Sequence, residues 1–191
     1  MTDPVIICGS AGSFSILFKL FPKLANGFTF PLIVCVHRLR NTPRGYINTI
    51  ITDTSFKVIE PEEGMKIESG NLYIAPADRH LVFRDSSTFG LSEAAPVNYS
   101  RPSIDITLSS AAKVFRDRVI GILLSGANFD GTEGLKAIHQ AGGTTIVQDP
   151  SDAEIPVMPQ SAVDSFTPSH IFSAEKILTF IGNLSVLNEK S

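Results

Sequence analysis

The chain contains no tryptophan and only two cysteines in 191 residues, and both cysteines sit inside apolar runs. That excludes a disulfide scaffold and leaves no cysteine pair at metal-ligand spacing. Cys8 and Cys35 are therefore expected to be buried, reduced thiols. No His-x₃-His pair is present either, so neither a metal site nor a cofactor is expected. Long hydrophobic runs are also missing: none approaches the ~20 residues of a membrane span. The first residues, Met1-Thr2-Asp3-Pro4, lack the basic and apolar pattern of a signal peptide. No membrane insertion and a cytoplasmic location are the expectations. Positive charge is scarce as well. The formal net charge is -3 and no Lys/Arg cluster forms a phosphate-tracking stripe, so nucleic acid is not an expected partner. Repeats, low-complexity stretches and domain-separating linkers are absent too.

What the chain does contain is an alternation of short apolar runs and helical periods. Hydrophobic residues make up 43% and charged ones 18%, a balance suited to a packed core rather than disorder. Val5–Cys8 reads as a buried strand, and Phe14, Leu17, Phe18, Leu20 and Phe21 suit the buried side of a helix ending near Pro22. Phe30–His37 is a second continuous apolar strand. Pro43–Ile51 has Ile47, Ile50 and Ile51 at helical spacing, and Val58–Glu60 reads as a short strand. The stretch from about Glu60 to Glu93 breaks the rhythm: Asn71–Pro76, His80–Arg84 and Gly90–Glu93 read as short strands of an antiparallel excursion at one edge. The acidic run Glu60-Pro61-Glu62-Glu63 reads as a solvated turn. A helix starting at Pro102 or Ser103 carries Ile104, Leu108, Ala111, Ala112 and Phe115 on one face. Val119–Ser125 is the clearest central strand, followed by a helix through Leu135 and Ile138 that stops at Gly142-Gly143. Thr144–Gln148 is a further strand. Pro159–Ser165 and Ala174–Ile181 read as helices around a short strand at Ile171-Phe172. Strand–helix units with non-alternating apolar strands predict a doubly wound, mostly parallel α/β sheet covered on both faces, a Rossmann-like three-layer arrangement. One domain spanning 1–191 is expected.

Ser10, His37 and Asp130 share one topographic property. Each lies at or just beyond the carboxyl end of a predicted parallel strand, where doubly wound sheets gather their ligands. Acyl transfer by a serine needs that set: an imidazole to take the hydroxyl proton and a carboxylate to orient the imidazole. N–H groups of the turn after Ser10 are placed to stabilise an oxyanion. Gly9, Ala11, Gly12, Ala127 and Arg101 complete the candidate oxyanion and substrate contacts. Each residue also has a plainer reading. Ser10 fits a generic turn or a phosphate-cradling loop, although the Gly-x-Gly-x-x-Gly spacing is absent. His37 fits a structural strand-end histidine. Asp130-Gly131-Thr132-Glu133 has the form of a capping box at the start of the next helix. Arg101 fits a surface ion pair, and His80, His139 and His170 fit surface or structural roles.

Several segments together resemble the catalytic domain of chemotaxis protein-glutamate methylesterases, the CheB-type family. They are Gly9-Ser10-Ala11-Gly12, the strand ending in His37, Gly70-Asn71-Leu72-Tyr73-Ile74-Ala75-Pro76 and Asp78-Arg79-His80. Arg101-Pro102-Ser103-Ile104-Asp105, Gly126 through Asp130-Gly131 and Gln140-Ala141-Gly142-Gly143 follow in the same order. The resemblance implies Ser10 as nucleophile, His37 as general base and Asp130 as orienting carboxylate, acting on methyl-glutamate residues of chemoreceptor helices. The order Ser, His, Asp differs from the Ser, acid, His order of α/β-hydrolases. Three departures stand out: Ser13 replaces the second glycine usual in the nucleophile turn, Ala127 stands where methionine is common, and no receiver domain is expected. A separate response-regulator protein is then a candidate partner. Glutamine deamidation and a non-catalytic binding module are the alternative functions.

Overall fold

The computed structural model describes residues 3–24, 27–43 and 56–187. Seven strands form one sheet: β1 (Val5–Gly9), β2 (Leu32–Val36), β3 (Lys57–Ile59), β4 (Asn71–Ile74), β7 (Ile120–Leu123), β8 (Thr144–Gln148) and β9 (His170–Phe172). Their order is β3-β4-β2-β1-β7-β8-β9, and every neighbouring pair is parallel. β5 (His80–Asp85) and β6 (Thr88–Ser92) pair antiparallel as a separate two-stranded sheet. The doubly wound α/β expectation holds, with a smaller excursion than the sequence implied. β4 joins the parallel sheet beside β2, and the hairpin lies against a helix rather than at the sheet edge. The helix predicted over 43–51 falls outside the described residues beyond Pro43.

Consecutive residues of a strand point to opposite faces, and both faces here are apolar. Val5 and Ile7 of β1 enter one core with Leu32, Val34 and Val36 of β2. That core is covered by α1 (Phe14–Lys23) and α5 (Ala174–Leu187) through Leu17, Leu20, Ile177 and Ile181. Ile6, Cys8, Ile33 and Cys35 enter the other core, covered by α2 (Ile104–Phe115), α3 (Thr132–Gln140) and α4 (Val157–Ser165). The β5–β6 hairpin packs on α2: Phe83 meets Phe115 edge-on at 5.1 Å, and Thr107 donates its hydroxyl to the Leu81 carbonyl at 2.9 Å. Cys8 and Cys35 are free and buried, and burial pushes the Cys8 thiol well above its usual value.

Two local predictions fail. Phe14 and Phe18 are exposed, and Ile16 takes the buried place in α1 beside Leu17. A heavily hydrophobic helix face gives several equivalent stripes, and sheet contact selects among them. Glu60 is buried rather than solvated, because its carboxylate accepts from the Arg38 guanidinium at 2.9 Å.

Candidate active site

The strand order places the site. β1 is central, β2 flanks it on one side and β7 on the other, so the carboxyl ends of all three open on one crevice. The register pairs Gly9 with Val36 and Cys8 with Leu123, so the residues following each strand emerge at about the same height. Ser10 leaves β1, His37 leaves β2, and Asp130 lies in the loop from β7 to α3.

Main-chain bonds fix the turn that carries Ser10. Ser10 N–H donates to the Ser125 carbonyl at 2.9 Å, and His37 N–H donates to the Gly9 carbonyl at 3.3 Å. Ser13 donates its hydroxyl to the Ser10 carbonyl at 2.6 Å and is fully buried. The departure at Ser13 therefore faces into the turn and tightens it. Gly9 is required there: a Cβ would sit 2.6 Å from the Ser13 Cβ. Gly12 has φ +83°, left-handed backbone that suits glycine. Ser125 donates its hydroxyl to the carbonyls of Ala11 and Ile155, tying the turn to the loop after β8. The N–H groups of Ala11 and Gly12 make no hydrogen bond to another described residue. Ala127 is exposed at the same end of the sheet.

Ser10, His37 and Asp130 form one hydrogen-bonded chain. His37 Nδ1 lies 3.1 Å from Ser10 Oγ, and His37 Nε2 lies 2.8 Å from Asp130 Oδ2. Asp130 is fully buried, yet it is held as a carboxylate. Burial pushes its pKa up, but donation from His37, the Ile104 and Asp105 N–H groups and the Ser103 hydroxyl outweighs this and lowers it. A carboxylate accepts, so the proton resides on Nε2 and the Nδ1 lone pair faces the Ser10 hydroxyl. Serine proteases present the opposite ring nitrogens to serine and acid.

The capping prediction for Asp130 is corrected by the same bonds. Gly131 occupies the N-cap of α3, and no side-chain cap bond is made there. Asp130 instead accepts from N–H groups at the start of α2: Ile104 at 2.7 Å and Asp105 at 3.1 Å. Asp105 returns the favour across the helix pair, accepting from the N–H groups of Gly131 at 2.9 Å and Gly134 at 2.8 Å. Each helix start is capped by the other's aspartate. Desolvation, opposed by the Gly134 N–H and reinforced by the Asp130 charge, pushes Asp105 up to about 6. Asn98 bridges the two carboxylates, donating to Asp105 at 3.0 Å and Asp130 at 3.4 Å.

Sequence reasoning missed Asn98, Ser103, Asp105 and His80 as supports of the site. Ser103 donates its hydroxyl to Asp130 at 2.9 Å, and its N–H donates to Nδ1 of the fully buried His80 at 3.1 Å. The other ring nitrogen of His80 donates to the Ala95 carbonyl at 3.2 Å. Arg101 lies by the site, with its fork committed to Asp78 and its Nη1 to the carbonyls of Glu93 and Ala94. Among the described residues, no group of three or more His, Cys, Asp or Glu is placed to hold a metal.

The comparisons with known proteins agree with this architecture. The family model for the CheB methylesterase matches residues 5–181. The chain belongs to the CheB methylesterase family. It is 37% identical over 175 residues to a Leptospira interrogans protein provisionally named protein-glutamate methylesterase/protein-glutamine glutaminase, covering 92% of this chain and 91% of that one. It is 32% identical to the protein-glutamate methylesterase FrzG of Myxococcus xanthus, covering 83% of this chain and 48% of FrzG. Beside that longer relative the chain spans about half the length. The crystal structure of the Thermotoga maritima CheB methylesterase catalytic domain superposes with a TM-score of 0.88 at 28% identity, covering 96% of this chain and 99% of that one. No helix among the described residues is long and apolar enough to cross a membrane.

Proposed function

We propose that this CheB-family protein hydrolyses γ-methyl esters of glutamate residues in a protein substrate, through an acyl-enzyme on Ser10. The Ser10–His37–Asp130 hydrogen-bonded chain carries this reading. His37 Nδ1 removes the hydroxyl proton as Ser10 Oγ attacks the ester carbonyl, while the Asp130 charge stabilises the imidazolium. The N–H groups of Ala11 and Gly12 are the candidate oxyanion donors, with Ala127 and Gly9 shaping the turn around them. Collapse of the tetrahedral intermediate transfers the imidazolium proton to departing methoxide, giving methanol. Water then attacks the acyl-Ser10, activated by the same nitrogen, and leaves the glutamate carboxylate. Methylated chemoreceptor helices are the substrate class that the family assignment favours.

A second reading uses the same steps with ammonia as leaving group. The names of relatives pair methylesterase with glutaminase, and the acyl intermediate is identical for ester and amide. Incubation with a methylated, amidated receptor fragment followed by mass spectrometry separates the two. Demethylation lowers a peptide's mass by about 14 Da and deamidation raises it by about 1 Da, as the acyl chemistry requires. Neither change, with Ser10 still labelled by a fluorophosphonate, would refute both.

A further inference from the structure

A pocket is lined by His37 together with Arg38, Leu39, Arg40, Asp78, Tyr99 and Arg101. Arg38 is the unusual member. Its side chain is only 3% exposed, and Nη1 donates to Glu60 at 2.9 Å and to the Ala75 carbonyl at 3.1 Å. Nε and Nη2 are buried with no hydrogen-bond partner. Those two nitrogens make up one edge of the guanidinium, the edge that grips a carboxylate side-on with two parallel bonds. Buried donors are almost always satisfied, so an unpaired edge of this kind calls for a ligand or an ordered water, and a ligand's carboxylate reaches it only by entering past the pocket wall.

The charges point to an anion. Three arginines line the pocket against one aspartate, and Glu60 answers Arg38, so one positive charge is left over. Asp78 is held below the usual carboxylate range, first by the hydrogen bond from Arg101 and against desolvation, so it is charged and the surplus remains one. Arg101 contributes charge, its fork being committed to Asp78. Arg40 is 76% exposed, with one ion pair to Asp78, and is the outer contact. Leu39 and Tyr99 are exposed apolar side chains on the same rim, suited to the non-polar part of a polypeptide.

Resting on the hydrolase reading above, we propose that this pocket is a carboxylate subsite that receives an acidic side chain of the substrate protein near the esterified glutamate. Ser10 is not among the lining residues, so the anion held here is a neighbour of the reacting group rather than the product itself. The reacting glutamyl group is neutral, so a charged neighbour would give the site a landmark that the ester itself lacks. Arg38 and Arg40 are placed to receive it.

The test uses peptides carrying one γ-methyl glutamate with a glutamate placed one, three or four residues to either side, each against its glutamine counterpart. Methanol release gives kcat and KM. At least one placement is expected to favour glutamate by about tenfold in kcat/KM, mostly through KM, as a charge-assisted pair implies. That preference is expected to collapse in Arg40→Gln, where the exposed position leaves folding undisturbed, and in Arg38→Lys, which keeps a charge for Glu60 but loses the fork. Equal rates for glutamate and glutamine peptides at every placement would overturn the subsite, as would a preference surviving both substitutions. If no peptide is hydrolysed while a fluorophosphonate still labels Ser10, the hydrolase reading fails and the subsite falls with it.

Discussion

Replacing Asp130 with asparagine removes one charge and turns one acceptor oxygen into a donor, and the structure defines what each change meets. Oδ2 accepts from His37 Nε2 and the Ile104 N–H, while Oδ1 accepts from Ser103, the Asp105 N–H and Asn98. With the amide nitrogen at the Oδ2 place, the Ile104 N–H is stranded. His37 must then accept at Nε2, so Nδ1 carries the proton and cannot serve as base. With the nitrogen at the Oδ1 place, the tautomer survives but the Asp105 N–H is stranded and the imidazolium loses its counter-charge. Either orientation leaves a main-chain donor unpaired, costing about 1–3 kcal/mol. For a protein of this size that lowers Tm by roughly 2–12 °C. Had Asp130 capped α3 as its sequence context implies, asparagine would cap as well and Tm would hold. The same exchange in serine proteases lowers turnover about 10⁴-fold with geometry intact, so a kcat loss of ~10²–10⁴ is expected. Calorimetry and methanol release on the same preparation read both effects. Wild-type turnover in a folded Asp130→Asn protein would remove Asp130 from the mechanism. An unchanged Tm would refute the assignment of its carboxylate to the start of α2.

Three further outcomes follow from the same contacts. Ser13→Gly removes the bond to the Ser10 carbonyl and frees the backbone, and is expected to cost about 1–2 kcal/mol in urea unfolding; no loss would mean that Ser13 does not brace the turn. His80→Ala leaves the Ser103 N–H and the Ala95 carbonyl unpaired beside a cavity. It should destabilise by about 2–4 kcal/mol, and a Tm equal to wild type would dismiss the support role of His80. For Asp105, the folded pKa of about 6 lies above the ordinary 3.8. Between those values the native state holds a proton that the unfolded chain has released, so stability falls as pH rises from about 4 to 6. Urea titrations across that window should show wild type losing stability relative to Asp105→Asn as the pH rises; a wild type that instead gains stability relative to Asp105→Asn would contradict the assignment.

The parallel sheet was legible because its strands are short apolar runs, and the Ser10–His37–Asp130 hydrogen-bonded chain because each of the three follows such a run at the carboxyl edge. Val5–Gly9, Leu32–Val36 and Ile120–Leu123 bury both faces, which only a covered parallel sheet allows. What the sequence left hidden depends on how elements dock. Asp130 precedes α3 and so reads as its cap, yet the starts of α2 and α3 meet and exchange their aspartates over 25 residues of chain. β4 lies among antiparallel-looking segments, but Leu72, Tyr73 and Ile74 align with Leu32, Ile33 and Val34. His80 reads as an edge residue until the hairpin folds onto α2 and closes over it. Arg38 and Glu60 show no mutual signal at a separation of 22 residues, and only the neighbouring ends of β2, β4 and β3 bring them together.

The orientation of the imidazole follows from the strand order. Parallel neighbours lie about 4.8 Å apart, and the His37 N–H reaches the Gly9 carbonyl, so His37 and Ser10 start side by side. The ring nitrogen nearer the main chain, Nδ1, is then the one within reach of Ser10 Oγ. Nε2 extends past β1 toward the β7 loop, where Asp130 waits. A histidine leaving any strand farther from β1 would have to span the gap with its outer nitrogen, and the acid would need to stand behind it. The proposed Ser–His–Asp chemistry would be reached here with the ring reversed, because what such catalysis requires is one lone pair facing the hydroxyl and one N–H held by a carboxylate. The parallel pairing of β1 with β2 and β7 supplies both from opposite sides of Ser10.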